Sequence, residues 1–211
     1  MSLLPPEHFA LVEPGIFRCA LSSLGASQLA FIQPLSLKTV VVLSPDTLPR
    51  ALSEFFMENG VEVHSIGLRC LRLGSYSSQT DDTSSSGLGY SSPGSYLSTR
   101  LMKEALELAL DSSNHPLLVT CSSGIYQSSV FAACLRKLQG WCFSSLLFEY
   151  RSFAAGGKPR LLDEHFIERF DTDLVNIPER HKLTDWSQSF LLPSSASEAE
   201  GRSPGAGDVA C

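Results

Sequence analysis

Short apolar runs separated by helix-length segments constrain this chain more than any other feature. LKTVVVLS (37–44), VEVHSIGL (61–68) and HPLLVT (115–120) are each about as long as a strand, and the first has almost no polar alternation. An unalternated apolar strand is buried on both faces, which is the situation of a parallel sheet covered by helices on each side. EPGIFRCAL (13–21) joins a turn-forming Pro-Gly to β-prone residues and reads as a first strand. Between these runs lie helical patterns. A short one is centred on Leu29, Ala30 and Ile32, and DTLPRALSEFFMENG has Asp46 or Thr47 near its N-cap and Gly60 at its end. STRLMKEALELALDS places Leu101, Ala105, Leu108 and Ala109 on one face. Further helices are expected over 126–138, 141–154 and 162–171, the last two separated by the breaker GGKP. The alternation predicts an α/β domain with a central, mostly parallel sheet of four or five strands flanked by helices.

The domain is expected to end near residue 175. The Ser/Gly-rich stretch 74–95 cannot bury enough apolar surface to offset its ordering entropy and is expected to be a flexible insertion. Residues 176–211 read as a C-terminal tail, largely disordered from about 192. A formal net charge of −6, with 16 Lys and Arg, argues against a broad nucleic-acid footprint but leaves room for one locally positive anion site. No apolar run approaches the roughly 20 residues that span a bilayer, so membrane insertion is not expected. The start lacks the pattern of a secretory signal, so a cytoplasmic location is expected. The six cysteines are neither closely paired nor clustered with His, so neither disulfides nor a metal site is expected.

The candidate site is HPLLVTCSSGIYQSS (115–129), in which a buried strand delivers Cys121 into a short loop that runs into a helix. Open α/β sheets bind ligands at the carboxyl ends of their strands. Inward-pointing loop N–H groups and a helix N-terminus favour an oxyanion there, and the same field favours a thiolate. Gly124 lets the backbone turn midway round the loop. Taken alone, Cys121 is better explained as a buried structural thiol than as a nucleophile.

The arrangement resembles the tyrosine-phosphatase signature of His-Cys, five residues, Arg, then Ser or Thr. Its surroundings resemble the plant and fungal atypical dual-specificity phosphatases, a group that includes oxidant-induced cell-cycle arrest proteins and inositol-pyrophosphate phosphatases. The matching stretches are PPEHFALVEPGIFR, LKTVVVLSPD, ENGVEVHSIGL, NHPLLVTC, CLRKLQGWCFSSLLFEYRSFA and DEHFIERFD, which cover most of residues 5–171. The resemblance implies a dual-specificity-phosphatase-like fold. It also implies a phosphate-binding loop of Ser122, Ser123, Gly124, Ile125, Tyr126 and Gln127, with Cys121 at the nucleophile position and Ser128 at the thiolate-stabilising position. Gln127 stands where active members carry arginine, and Thr120 where they carry histidine. The general acid stays unassigned. Asp81 and Asp82 are candidates from the right region of the chain, against a reading as solvated loop charges.

Arginine brings a permanent charge and a planar donor pair, whereas glutamine brings neutral donors and a carbonyl that repels anions. One oriented electrostatic group of this kind is worth about 3–4 kcal/mol in a transition state, so its loss lowers a rate by on the order of 10² to 10³. The expectation is a catalytically impaired pseudophosphatase with a regulatory or phosphoryl-sensing role. The alternatives are a weakly active cysteine phosphatase on phosphotyrosine or inositol (pyro)phosphates, and an interaction or scaffold subunit. The resemblance implies an active phosphatase of the same family as partner in a hetero-oligomer, a phosphorylated or inositol-phosphate ligand, and no cofactor.

Elsewhere the structural readings prevail. Arg18, Arg136 and Lys137 are expected to pair with carboxylates, His64 and His115 to act as hydrogen-bonded spacers, and Trp141 to anchor a helix junction. Cys134 and Cys142 belong to helix packing, and Asp163, Glu164 and Glu168 to a solvated helix face.

Overall fold

A computed structural model describes residues 4–69, 97–154 and 158–191. Five strands form one sheet: β1 (Ala10–Glu13), β2 (Ile16–Ala20), β3 (Thr39–Val42), β4 (Glu62–His64) and β5 (Leu117–Cys121). Their order is β1-β2-β5-β3-β4. All pairings are parallel except the β1–β2 hairpin. The fold is therefore α/β with a mostly parallel sheet, as the alternation predicts.

Two local readings are corrected. The run EPGIFRCAL is a hairpin, not one strand: its Pro-Gly makes the turn, with Gly15 at φ +84, and β1 precedes it. The second correction is in VEVHSIGL, where only Glu62–His64 is strand, because the edge position beside β3 offers hydrogen bonds on one side alone and the chain turns helical at 66–69.

The central strands are buried on both faces. On one face Cys19, Val40, Val42 and Leu118 pack with Ile32 of α1 (Ala26–Ile32) and with Leu52 and Phe56 of α2 (Arg50–Glu58). On the other, Ile16, Val41, Leu117, Val119 and Cys121 meet α3 (Thr99–Leu110), α4 (Gln127–Leu138), α5 (Phe143–Ala154) and α6 (Leu161–Arg169). Each fully buried aliphatic side chain contributes roughly 1.5–3 kcal/mol. α3 is capped by Ser98, whose Oγ accepts from Leu101 N at 3.1 Å, and it buries Leu101, Met102, Ala105, Leu106, Ala109 and Leu110. α4 is the central helix, buried continuously from Ser128 to Arg136. Burial on all sides is what fixes its N-terminus at the end of β5.

Polar residues lock the helices together. Arg136 pairs with Glu13 and, at 2.9 Å, with Glu149, and lies 4.6 Å over the Trp141 ring at the α4–α5 junction. Among the described residues Lys137 pairs with no carboxylate: its Nζ donates to the carbonyls of Ile167, Glu168 and Phe170 at 3.0, 2.6 and 2.9 Å, closing the C-terminal end of α6. Asp163 is not on a solvated face. It is 4% exposed and accepts from Tyr150 Oη at 2.9 Å, and burial raises its carboxyl above the usual range. Its neighbour Glu164 takes both nitrogens of a fork from Arg151, at 2.7 and 2.8 Å.

Beyond residue 175 the chain still carries structure. Leu183 is buried and bridges to Asp111, and a helix α7 (Asp185–Leu191) packs Trp186, Phe190 and Leu191 against the core. Residues 74–95, with Asp81 and Asp82, and residues 192–211 lie outside the described residues. Among the described residues no helix is long and apolar enough to cross a membrane, and no cluster of His, Cys, Asp and Glu could hold a metal ion.

Candidate functional site

β5 ends at Cys121, residues 122–126 turn, and α4 begins at Gln127. The turn closes with Gly124 N donating to Cys121 O at 3.2 Å and Ile125 N to Ser123 Oγ at 3.2 Å. The loop is pressed onto the end of β2: Ser22 N donates to Ser122 O at 3.1 Å, and a Cβ on Gly124 would lie 2.6 Å from Ala20 N. Gly124 is at φ +67, so both its conformation and its packing require glycine. Ser129 N and Val130 N donate to Tyr126 O and start the helix, while Ser123 N and Tyr126 N have no hydrogen-bond acceptor among the described residues. Orphan donors at the head of a 12-residue helix favour an anion.

Cys121 is 1% exposed, and its Sγ lies 3.4 Å from Ser128 Oγ. Gln127 is half-buried. Its amide Nε2 points to Leu43 O at 3.5 Å, at the end of β3, a weak contact that brings no charge. Ile125 and Tyr126 are half-buried in the loop wall, and Ser122 at its outer edge donates to the carboxylate of Asp46. Asp46 therefore does not cap α2, whose N-cap is Pro49. It brings a negative charge to the loop instead.

The largest surprise is Arg18. It is fully buried on β2 and, among the described residues, pairs with no carboxylate. Its Nη2 donates to Gly124 O at 2.6 Å, Ser129 Oγ at 2.7 Å and Ser128 Oγ at 3.2 Å, and its guanidinium lies 4.1 Å over the Phe153 ring. Burial lowers its pKa to about 10, against the opposing influence of Cys121. Because Arg18 can only donate, it fixes Ser128 Oγ as an acceptor on that side and leaves the Ser128 hydroxyl proton available to Cys121. The sequence holds a signal for this: Arg18 is a charged residue inside an otherwise apolar strand, which demands a buried partner.

Two further residues bear on the loop, one its neighbour in the chain and one from a distance. Thr120 Oγ1 donates to Cys19 O at 3.0 Å and so faces away from the Cys121 side. Burial pushes the neighbouring Cys19 thiol up to about 12, which makes it a packed, inert group. Arg160, from the breaker after α5, sets its guanidinium 3.3 Å over the centroid of the Tyr126 ring. No basic residue lies between Cys121 and Val130 in the sequence, yet the fold supplies one cation from beneath the loop and one at its rim.

The profile of the tyrosine phosphatase family matches residues 3–189. The chain is 34% identical to the inositol diphosphatase DSP4 of Arabidopsis thaliana, over 80% of this chain and 74% of that protein. It is 30% identical to the putative tyrosine-protein phosphatase OCA1 of Mycosarcoma maydis, over 82% of this chain and 96% of that one. Among solved structures it is similar to the core catalytic domain of the PP-IP phosphatase SIW14 from S. cerevisiae, in complex with citrate. That likeness has a TM-score of 0.63 at 29% identity and covers 82% of this chain and 90% of that one.

Proposed function

This chain belongs to the tyrosine phosphatase family, and from that premise we propose that it is a catalytically impaired member, a pseudophosphatase that keeps the loop as an anion cradle and serves a regulatory or phosphoryl-sensing role. The observation that carries this reading is Gln127, whose neutral amide is turned toward Leu43 O where a phosphatase loop needs a bidentate cation. The carboxylate of Asp46 on Ser122 adds repulsion toward a phosphoryl dianion. The ligand would be a phosphorylated small molecule of the inositol phosphate type, in line with the names of the relatives. In this reading Cys121 and Ser128 hold the nucleophile and thiolate-stabilising positions, and Ser122 to Gln127 form the cradle.

A second reading, a weak but genuine cysteine phosphatase, is favoured by the retained Cys121–Ser128 contact of 3.4 Å and by Arg18, which orients Ser128. Asp81 and Asp82 remain its candidate general acids. Assay of the purified protein on an aryl phosphate and on an inositol pyrophosphate separates the two. The pseudophosphatase reading expects turnover indistinguishable from that of Cys121→Ser and no phosphoenzyme; turnover lost in Cys121→Ser would sink it. A scaffold role, with an active phosphatase of the same family as partner in a hetero-oligomer, is favoured by the exposed aromatics Phe148 and Trp141 on one groove. Under that reading a Cys121→Ala, Gln127→Ala double variant keeps partner binding.

A further inference from the structure

Arg160 is exposed, and among the described residues its guanidinium has neither a hydrogen-bond acceptor nor an ion-pair partner. Its place is nonetheless fixed. Its own N–H donates to Tyr150 Oη at 3.2 Å, Tyr150 is buried and donates to the buried Asp163, and the guanidinium rests on the loop residue Tyr126. The start of α6 is thus clamped to the Cys121 loop. An arginine whose guanidinium lies over an aromatic ring is held by the ring without using its N–H donors, and those donors are matched to phosphoryl oxygens. The loop itself offers orphan N–H groups but no cation of its own, and among the described residues Arg160 is a cation that touches its outer wall, through Tyr126.

We propose that Arg160, seated on Tyr126, is an anion-binding group at the rim of the loop that takes a second phosphoryl group of a multiply phosphorylated small molecule while the loop holds the first. This rests on the reading of the loop as a retained anion cradle. A ligand with a single phosphoryl group gains nothing from Arg160, whereas one with several spans both places. The rim residue therefore sets a preference for polyphosphorylated ligands.

Calorimetric titration of the whole protein with inositol hexakisphosphate and with inorganic phosphate tests the assignment. Arg160→Gln is compared with Arg169→Gln, which removes the same charge from the far end of α6. Charge-assisted hydrogen bonds of this kind predict a loss of about tenfold or more in hexakisphosphate affinity for Arg160→Gln. Phosphate affinity stays within about twofold under the same argument, and Arg169→Gln matches the wild type for both probes. Arg160→Lys recovers part of the loss. Unchanged hexakisphosphate affinity in Arg160→Gln, or equal weakening for both probes or by both variants, overturns the assignment while leaving the cradle standing. A wild-type protein that binds neither probe overturns the cradle itself.

Discussion

Gly124 is held at φ +67 with its α-carbon against Ala20, so an added methyl group meets backbone rather than a movable side chain. Gly124→Ala is expected to destabilise the protein by roughly 2 kcal/mol or more, from the left-handed conformation and the forced shift together. Urea unfolding checks it, and an unchanged midpoint would mean that the loop does not pack on β2 as described. His115 offers a test of electrostatics at the same scale. It is half-buried, its Nε2 lies 2.7 Å from Ala109 O, and burial lowers its pKa below the usual value, with Asp111 and Lys38 pulling in opposite directions. An imidazole whose folded value is depressed is protonated first in the unfolded chain as pH falls through about 6.5. Its contribution to stability is therefore complete above that pH and is lost below it. His115→Gln, which can still donate to Ala109 O, is expected to flatten the fall in melting temperature between about pH 6.5 and 5. Equal slopes in the two proteins would contradict the assignment.

At the scale of elements, α6 is tied to its neighbouring helices at both of its ends. Its C-terminal carbonyls are collected by Lys137 of α4, and its N-terminal side is tied through Asp163 to Tyr150 of α5. Lys137→Met removes a half-buried cation from three carbonyls and is expected to cost about 2 kcal/mol. It should also speed amide hydrogen exchange over the last turn of α6, while exchange in β5 stays slow. Uniform acceleration throughout the sheet would show that α6 is not a separable element. These ties were not readable in the sequence. Lys137 looks like any basic residue in a last helical turn, and its partners are carbonyls, which carry no side-chain signal.

For the whole molecule, what could be read from the sequence and what could not divide by range. The unalternated run LKTVVVLS and the helical spacing around it predict covered parallel strands, and the strand–loop–helix grammar of 117–138 predicts that a strand ends at Cys121 and a helix follows within a few residues, as β5 and α4 do. Arg18 and Asp46 escaped because the residues they serve lie 106 and 76 positions away in the chain, and only the sheet order brings β2 and β3 to either side of β5. Arg160 escaped because a breaker such as GGKP shows where a helix ends but not where the next side chain comes to rest. Residues 176–191 escaped for a similar reason. Their composition is polar, yet Leu183, Trp186 and Phe190 find a place on the core. A chain ending at Leu191 is expected to melt with the full protein. One ending at Val175 exposes those side chains and is expected to lose about 3 kcal/mol or more. Equal melting of the two would place the end of the domain at 175.

The claim on which the account turns is that the fold keeps a phosphatase cradle and lacks only its charge. Turnover of an inositol pyrophosphate by the wild type, Gln127→Arg, and Gln127→Arg combined with Cys121→Ser measures it directly. The account predicts no turnover above background for the wild type and a gain on the order of 10² to 10³ on restoring arginine. It also predicts complete loss of that gain when Cys121 is removed. Turnover by the wild type that already depends on Cys121, or no gain from Gln127→Arg, would contradict it.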